Sequence, residues 1–151
     1  SNEINFVQDN ISISKKGVLR GLHYQLEPFS QGKLIRCLKG SIFDVIVDLR
    51  EKANTFGCWS SIILSDNNLN QLWIPSGFAH GFLTISKEAI LNYKVDKYWN
   101  KKNERSLKWD DKDINIEWPL KEIDLKIPFL SKKDEKANTF KEIKLYGDFF
   151  K

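Results

Sequence analysis

Apolar and polar residues alternate along most of this chain with the two-residue period of β-strands, and no segment carries a convincing helical period. The run 42–49 (Ile-Phe-Asp-Val-Ile-Val-Asp-Leu) joins β-branched residues to two acids, Asp44 and Asp48. Segments near 18–24, 33–39, 58–64, 71–75, 79–85 and 89–96 are similar short runs. Turn-forming text separates many of them, as in Asn54-Thr55-Phe56-Gly57 and Ser65-Asp66-Asn67-Asn68. Many short strands at regular spacing predict an all-β sandwich or barrel. Residues 100–118 read as irregular structure anchored by Trp109 and Trp118, and the lysine-rich text after Pro119 as short helical turns. The hexapeptide Glu-Lys-Ala-Asn-Thr-Phe stands at 51–56 and again at 135–140, too short to be a repeat unit. No linker interrupts the chain, so 1–151 reads as a single domain.

Composition narrows the partners. With 151 residues, 41% of them hydrophobic, the chain can bury a core without staples. No apolar run approaches the roughly 18 residues of a membrane span. The net charge of +4 comes from scattered lysines rather than a basic stripe, which argues against nucleic acid. Cys37 and Cys58 lack metal-ligand spacing and read as reduced core residues of a cytoplasmic protein. The chain has no methionine, so upstream residues are expected to be missing, and Ser1-Asn2 reads as a tag scar or the start of a fragment.

The chemistry concentrates around two histidines. His23 lies in Arg20-Gly21-Leu22-His23-Tyr24-Gln25 and His80 in Pro75-Ser76-Gly77-Phe78-Ala79-His80-Gly81-Phe82. Histidine exchanges protons near neutrality, which makes both catalytic candidates. The competing reading is two histidines satisfied by hydrogen bonds inside a β core. A metal site is disfavoured, because only two histidines exist, 57 residues apart, and no carboxylate nearby completes a set. No Gly-x-Ser-x-Gly elbow supports nucleophilic catalysis. Proton abstraction beside a carbonyl needs a base, a cation for the enolate oxygen and an acid for the opposite face. His23, Lys33 and Tyr93 supply those residue types, although spacing alone does not link them.

A longer series of motifs does. Phe6-Val7-Gln8-Asp9-Asn10, Lys16-Gly17-Val18-Leu19-Arg20-Gly21-Leu22-His23-Tyr24-Gln25, Gln31-Gly32-Lys33-Leu34, Phe43-Asp44-Val45-Ile46-Val47-Asp48-Leu49-Arg50, Trp73-Ile74-Pro75-Ser76-Gly77-Phe78-Ala79-His80-Gly81-Phe82, Tyr93-Lys94 and Trp109-Asp110-Asp111 follow in order. The chain thereby resembles the dTDP-4-dehydrorhamnose 3,5-epimerase family from about residue 5 to residue 134. The resemblance implies a cupin-type double-stranded β-helix, or jelly roll, working as a homodimer without metal or other cofactor. It makes His23 the general base and Asp134 its orienting carboxylate, with Asp124 as a competitor. Lys33 would neutralise the enolate on O4 and Tyr93 would protonate from the other face. Arg20 would meet the diphosphate, Gln8 and Asn10 would hold the nucleotide sugar, His80 would position it, and Trp99 would lie near the nucleotide. By the same resemblance, several tens of further residues would precede the Phe6 stretch and help bind the nucleotide, often across the dimer; they are absent from this sequence, which is expected to be truncated.

The activity so implied inverts C3 and C5 of dTDP-4-dehydro-6-deoxyglucose, whose keto group acidifies both hydrogens. Related expectations are inversion at one carbon only, or a ketoisomerase on the same scaffold. A non-catalytic sugar-binding cupin is the reading from a different class.

Overall fold

The computed structural model describes residues 3–151, so Ser1 and Asn2 lie outside it. Among the described residues nine strands follow in chain order: β1 (Gln8–Lys15), β2 (Leu19–Gln25), β3 (Lys33–Lys39), β4 (Ser41–Asp48), β5 (Trp59–Ser65), β6 (Gln71–Ile74), β7 (Phe78–Thr84), β8 (Glu88–Val95) and β9 (Glu104–Ser106). They form two antiparallel sheets, of order β1-β8-β3-β6 and β5-β4-β7-β2-β9. This is one of the two architectures the strand pattern predicts, a sandwich, in the jelly-roll form that the resemblance implies. Seven of the nine strands fall on the runs expected from sequence, within a residue or so at each end.

β1 does not, because its pattern is inverted. Gln8, Asn10 and Ser12 face the space between the sheets, whereas Ile11 and Ile13 face outward, 67% and 59% exposed. Judged by polarity the segment looks like loop; judged by the pleat it is a full strand, paired with β8 from Gln8↔Val95 to Lys15↔Glu88. β9 is a second difference, three residues of strand within the stretch read as irregular. Trp118 does anchor that stretch, donating its indole N–H to the Trp109 carbonyl at 2.8 Å and packing against Phe43.

Helical turns close the chain, as expected. α1 (Lys132–Glu135) is capped by Ser131, and α2 (Phe140–Tyr146) carries a Thr139–Glu142 capping box. Leu22, Tyr24, Val45, Val47 and Leu49 form one core cluster, and α2 covers it with Phe140 and Ile143. Cys37 is buried and free; Cys58 is also free but exposed, a correction to its expected core position. Cys58 immediately precedes β5, an edge strand, which is why its side chain meets solvent.

The glycines beside the histidines have a packing reason. β2 and β7 pair so that His23 stands directly opposite His80. Between them Gly21, at φ +116°, approaches Gly81 so closely that a Cβ would lie 2.6 Å from the Gly81 Cα and the His80 carbonyl oxygen. The ladder shifts register between Arg20 and His23 at this crossing.

Candidate active site

The facing sheets enclose a cavity of about 460 Å³. All nine residues singled out from sequence line it: Gln8, Asn10, Arg20, His23, Lys33, His80, Tyr93, Trp99 and Asp134. Ile35, Phe82, Leu91 and Val95 supply apolar wall. His23 and His80 enter from the five-stranded sheet, Lys33 and Tyr93 from the four-stranded one, so the two groups of side chains confront each other across the space.

His23 is held by Asp134, its Nε2 lying 2.5 Å from Oδ1. The two residues are 111 positions apart, and backbone pairing brings them together. Leu19 N–H donates to the Phe129 carbonyl and Phe129 N–H to the Gly17 carbonyl, while Asn138 N–H donates to the Ser106 carbonyl. The segment between is thus fastened at both ends beside β2 and β9. Asp124, the competing carboxylate, sits exposed at the end of a single 3-10 turn and makes no such bond.

Burial pushes the His23 imidazole below its ordinary value, against the pull of Asp134. Burial also opposes charge on Asp134, only 2% exposed, but hydrogen bonds from His23 and Ser131 outweigh it and keep the carboxyl below its usual range. The pair is therefore a neutral imidazole donating Nε2–H to a carboxylate, which leaves Nδ1 with the lone pair that can accept a proton. Burial lowers Lys33 to about 8, partly offset by Asp44 and Glu104. It raises the Tyr93 phenol, which stays protonated across the neutral range.

At the rim Arg20 is steadied by Ser14, its Nε donating to Oγ at 2.9 Å. Gln8 donates to the Asn10 side chain at 2.9 Å and accepts from the Trp99 backbone N–H. Gln25 braces the same loop, accepting the Asn100 N–H at 2.6 Å. Trp99 lies at the mouth, 54% exposed.

Several residues of the site carry no role in the sequence reading. Asp44 is completely buried and sits 2.9 Å from His80 Nε2. An acid in the middle of an apolar strand was the visible signal, because such a group needs a partner. Glu104 and Lys133 line the cavity and form an ion pair at 2.7 Å. Glu104 was hidden in text without strand periodicity, and Lys133 differs in nothing local from its exposed neighbour Lys132.

The model of the family described as dTDP-4-dehydrorhamnose 3,5-epimerase matches residues 1–142. The chain belongs to this family. The family's Shigella flexneri member is 54% identical over 138 residues, covering 91% of this chain and 74% of that protein. Among solved structures of the family, the Mycobacterium tuberculosis epimerase superposes with a TM-score of 0.94 at 36% identity, covering 98% of this chain and 73% of its own. The Legionella pneumophila dTDP-6-deoxy-D-glucose-3,5-epimerase, solved in complex with dTDP-4-keto-L-rhamnose, gives 0.89 at 44% identity, covering 97% of this chain and 75% of its own. Epimerases of this family are isomerases, and the sandwich described above is their fold.

Proposed function

We infer that this protein inverts C3 and C5 of dTDP-4-dehydro-6-deoxy-D-glucose, giving dTDP-4-dehydro-L-rhamnose. The observation that carries the chemistry is the placing of a carboxylate-held imidazole and a protonated phenol on opposed walls of one cavity. Inversion needs a proton removed from one face of a carbon and returned from the other.

His23 takes the proton of a carbon beside the keto group onto Nδ1, and Asp134 stabilises the imidazolium that forms. The C–H electron pair becomes the enolate double bond as the carbonyl pair moves to O4. Lys33, half-buried within the cavity, neutralises that oxygen while it is charged. Tyr93 gives its phenolic proton to the same carbon from the opposite face. Both groups are then reset by exchange with solvent. Arg20 at the rim suits the diphosphate as a forked cation, with Gln8, Asn10, His80 and Trp99 holding the rest of the nucleotide sugar.

We further read the working unit as a homodimer, supported by the exposed isoleucines of β1. The free cysteines suit the cytoplasm, where thiols stay reduced. No helix among the described residues is long and apolar enough to cross a membrane.

Proton NMR of the substrate in D2O tests the activity. Deuterium should enter at both C3 and C5, and His23→Ala should slow that exchange by about 10²- to 10⁴-fold. Exchange at one carbon alone would make the protein a monofunctional epimerase; none at all would leave a sugar-binding cupin.

A further inference from the structure

Asp134 reaches His23 with one oxygen only. Its other oxygen, Oδ2, accepts the hydroxyl of Ser131 at 2.8 Å, and the Asp134 backbone N–H donates to the same Ser131 Oγ at 3.1 Å. Ser131 also lines the cavity. A helix-capping hydroxyl needs only its lone pairs to accept a backbone N–H. Here the hydroxyl proton is directed as well, onto the carboxylate that holds the imidazole.

We propose that Ser131 is a positioning residue of the epimerisation: it fixes the Asp134 carboxylate and draws off part of its charge, which sets the basicity of His23. The inference rests on the reading of His23 as the base. A hydrogen bond to the ionised form of an acid stabilises that charge where it sits and leaves less of it to attract a neighbouring cation. Without the Ser131 donor, Asp134 stabilises the imidazolium more strongly, so His23 holds its proton to higher pH. The carboxylate is also less firmly oriented, so turnover falls. The other ionisable groups facing His23 are Lys133 beside Asp134 on α1, Lys33 on β3, Glu104 on β9 and His80 across the β2–β7 ladder. Substitution of Ser131 changes none of them.

The chain has only two histidines, so NMR titration can follow His23 directly, assigned by the signal lost in His23→Ala. Ser131→Ala should raise the His23 midpoint by about half a pH unit and lower kcat about 10-fold. Ser131→Thr, which keeps both hydroxyl functions, should restore the midpoint and most of the turnover. Ser131→Asp separates capping from tuning, because aspartate caps a helix as well as serine but brings a negative charge in place of a donor. It should raise the midpoint further than alanine does. Equal midpoints in the unaltered, Ala and Asp proteins, alongside normal deuterium exchange, overturn this inference alone. An unaltered protein that exchanges neither hydrogen overturns the catalytic reading and this inference with it.

Discussion

Lys33 must be an ammonium to serve the enolate oxygen, yet burial brings it down to about 8. His23 must be neutral to act as base, and burial keeps it below its ordinary value. The two requirements bound activity from opposite sides. As pH falls through the His23 value the base is lost; as pH rises through about 8 the Lys33 cation is lost. A bell-shaped profile of kcat/KM, which reports the free enzyme, is the expected result, with its alkaline limb near 8. Lys33→Arg assigns that limb. A guanidinium stays charged far above this range, so the variant, although slower, should show no decline near pH 8. A limb that stays in place in Lys33→Arg would have to come from another group. Tyr93, raised by its burial, does not supply it. The residues that would meet the reacting atoms were legible in the sequence because they stand in long ordered motifs. Glu104 and Asp44 were not assigned, because their partners Lys133 and His80 stand 29 and 36 positions away and meet them only in the folded chain. Ser131 stands only three residues from Asp134, the spacing of an ordinary helix cap, and the bond from that carboxylate to His23 exists only with the fold.

At the scale of elements, the repeated hexapeptide shows why local text has limits. Glu51 to Phe56 forms turns in which the Thr55 hydroxyl donates to Asp48. Glu135 to Phe140 runs from the end of α1 into α2, where Thr139 caps the helix. The same six residues differ in outcome because Gly57, at φ +78°, ends the first, whereas Lys141-Glu142 continues the second and completes the capping box. The phenylalanines of the two copies then meet, with ring centroids 5.3 Å apart. Seven strands were legible because one face of each is apolar and inward; β1 was not, because its inward face serves a polar cavity. The β2–β7 crossing offers an element-scale prediction. Gly21→Ala would combine a positive φ with a clash against backbone that has no room to yield. It should cost about 2–3 kcal/mol, lowering the melting temperature by roughly 5–10 °C, and should depress activity because His23 follows two residues later. Gly147→Ala is the control, since φ is +70° but a Cβ there meets nothing within 4 Å. It should cost only about 1 kcal/mol, with activity kept. Equal losses in the two variants would mean that the close approach of β2 to β7 is not what requires glycine.

For the whole molecule, a polar inner face on β1 leaves its apolar residues outside. Ile11 and Ile13 lie on the outer face of the four-stranded sheet, where Leu38 and Trp73 are also exposed and Phe6 packs edge-on against Trp73. β1 is an edge strand, paired only with β8, so one side of its backbone is open as well. Apolar side chains beside an unpaired edge are what a second strand or sheet would cover, and most folds avoid leaving such an edge bare. A second copy meeting this face about a two-fold axis would bury the same residues on both partners. Sedimentation equilibrium at micromolar concentration should therefore report twice the 17.6 kDa of one chain. The paired change Ile11→Lys and Ile13→Lys should reduce it to one chain and leave the far-ultraviolet circular dichroism unchanged, because neither side chain contributes to the core between the sheets. A dimer that survives both lysines would have to use another face, and an unaltered protein that sediments as a monomer would refute the pairing. Activity in the lysine variant adds a further distinction: the nine residues singled out from sequence all line the cavity of one chain, so if the partner adds none to the site a dissociated but folded protein should retain measurable exchange of the substrate hydrogens.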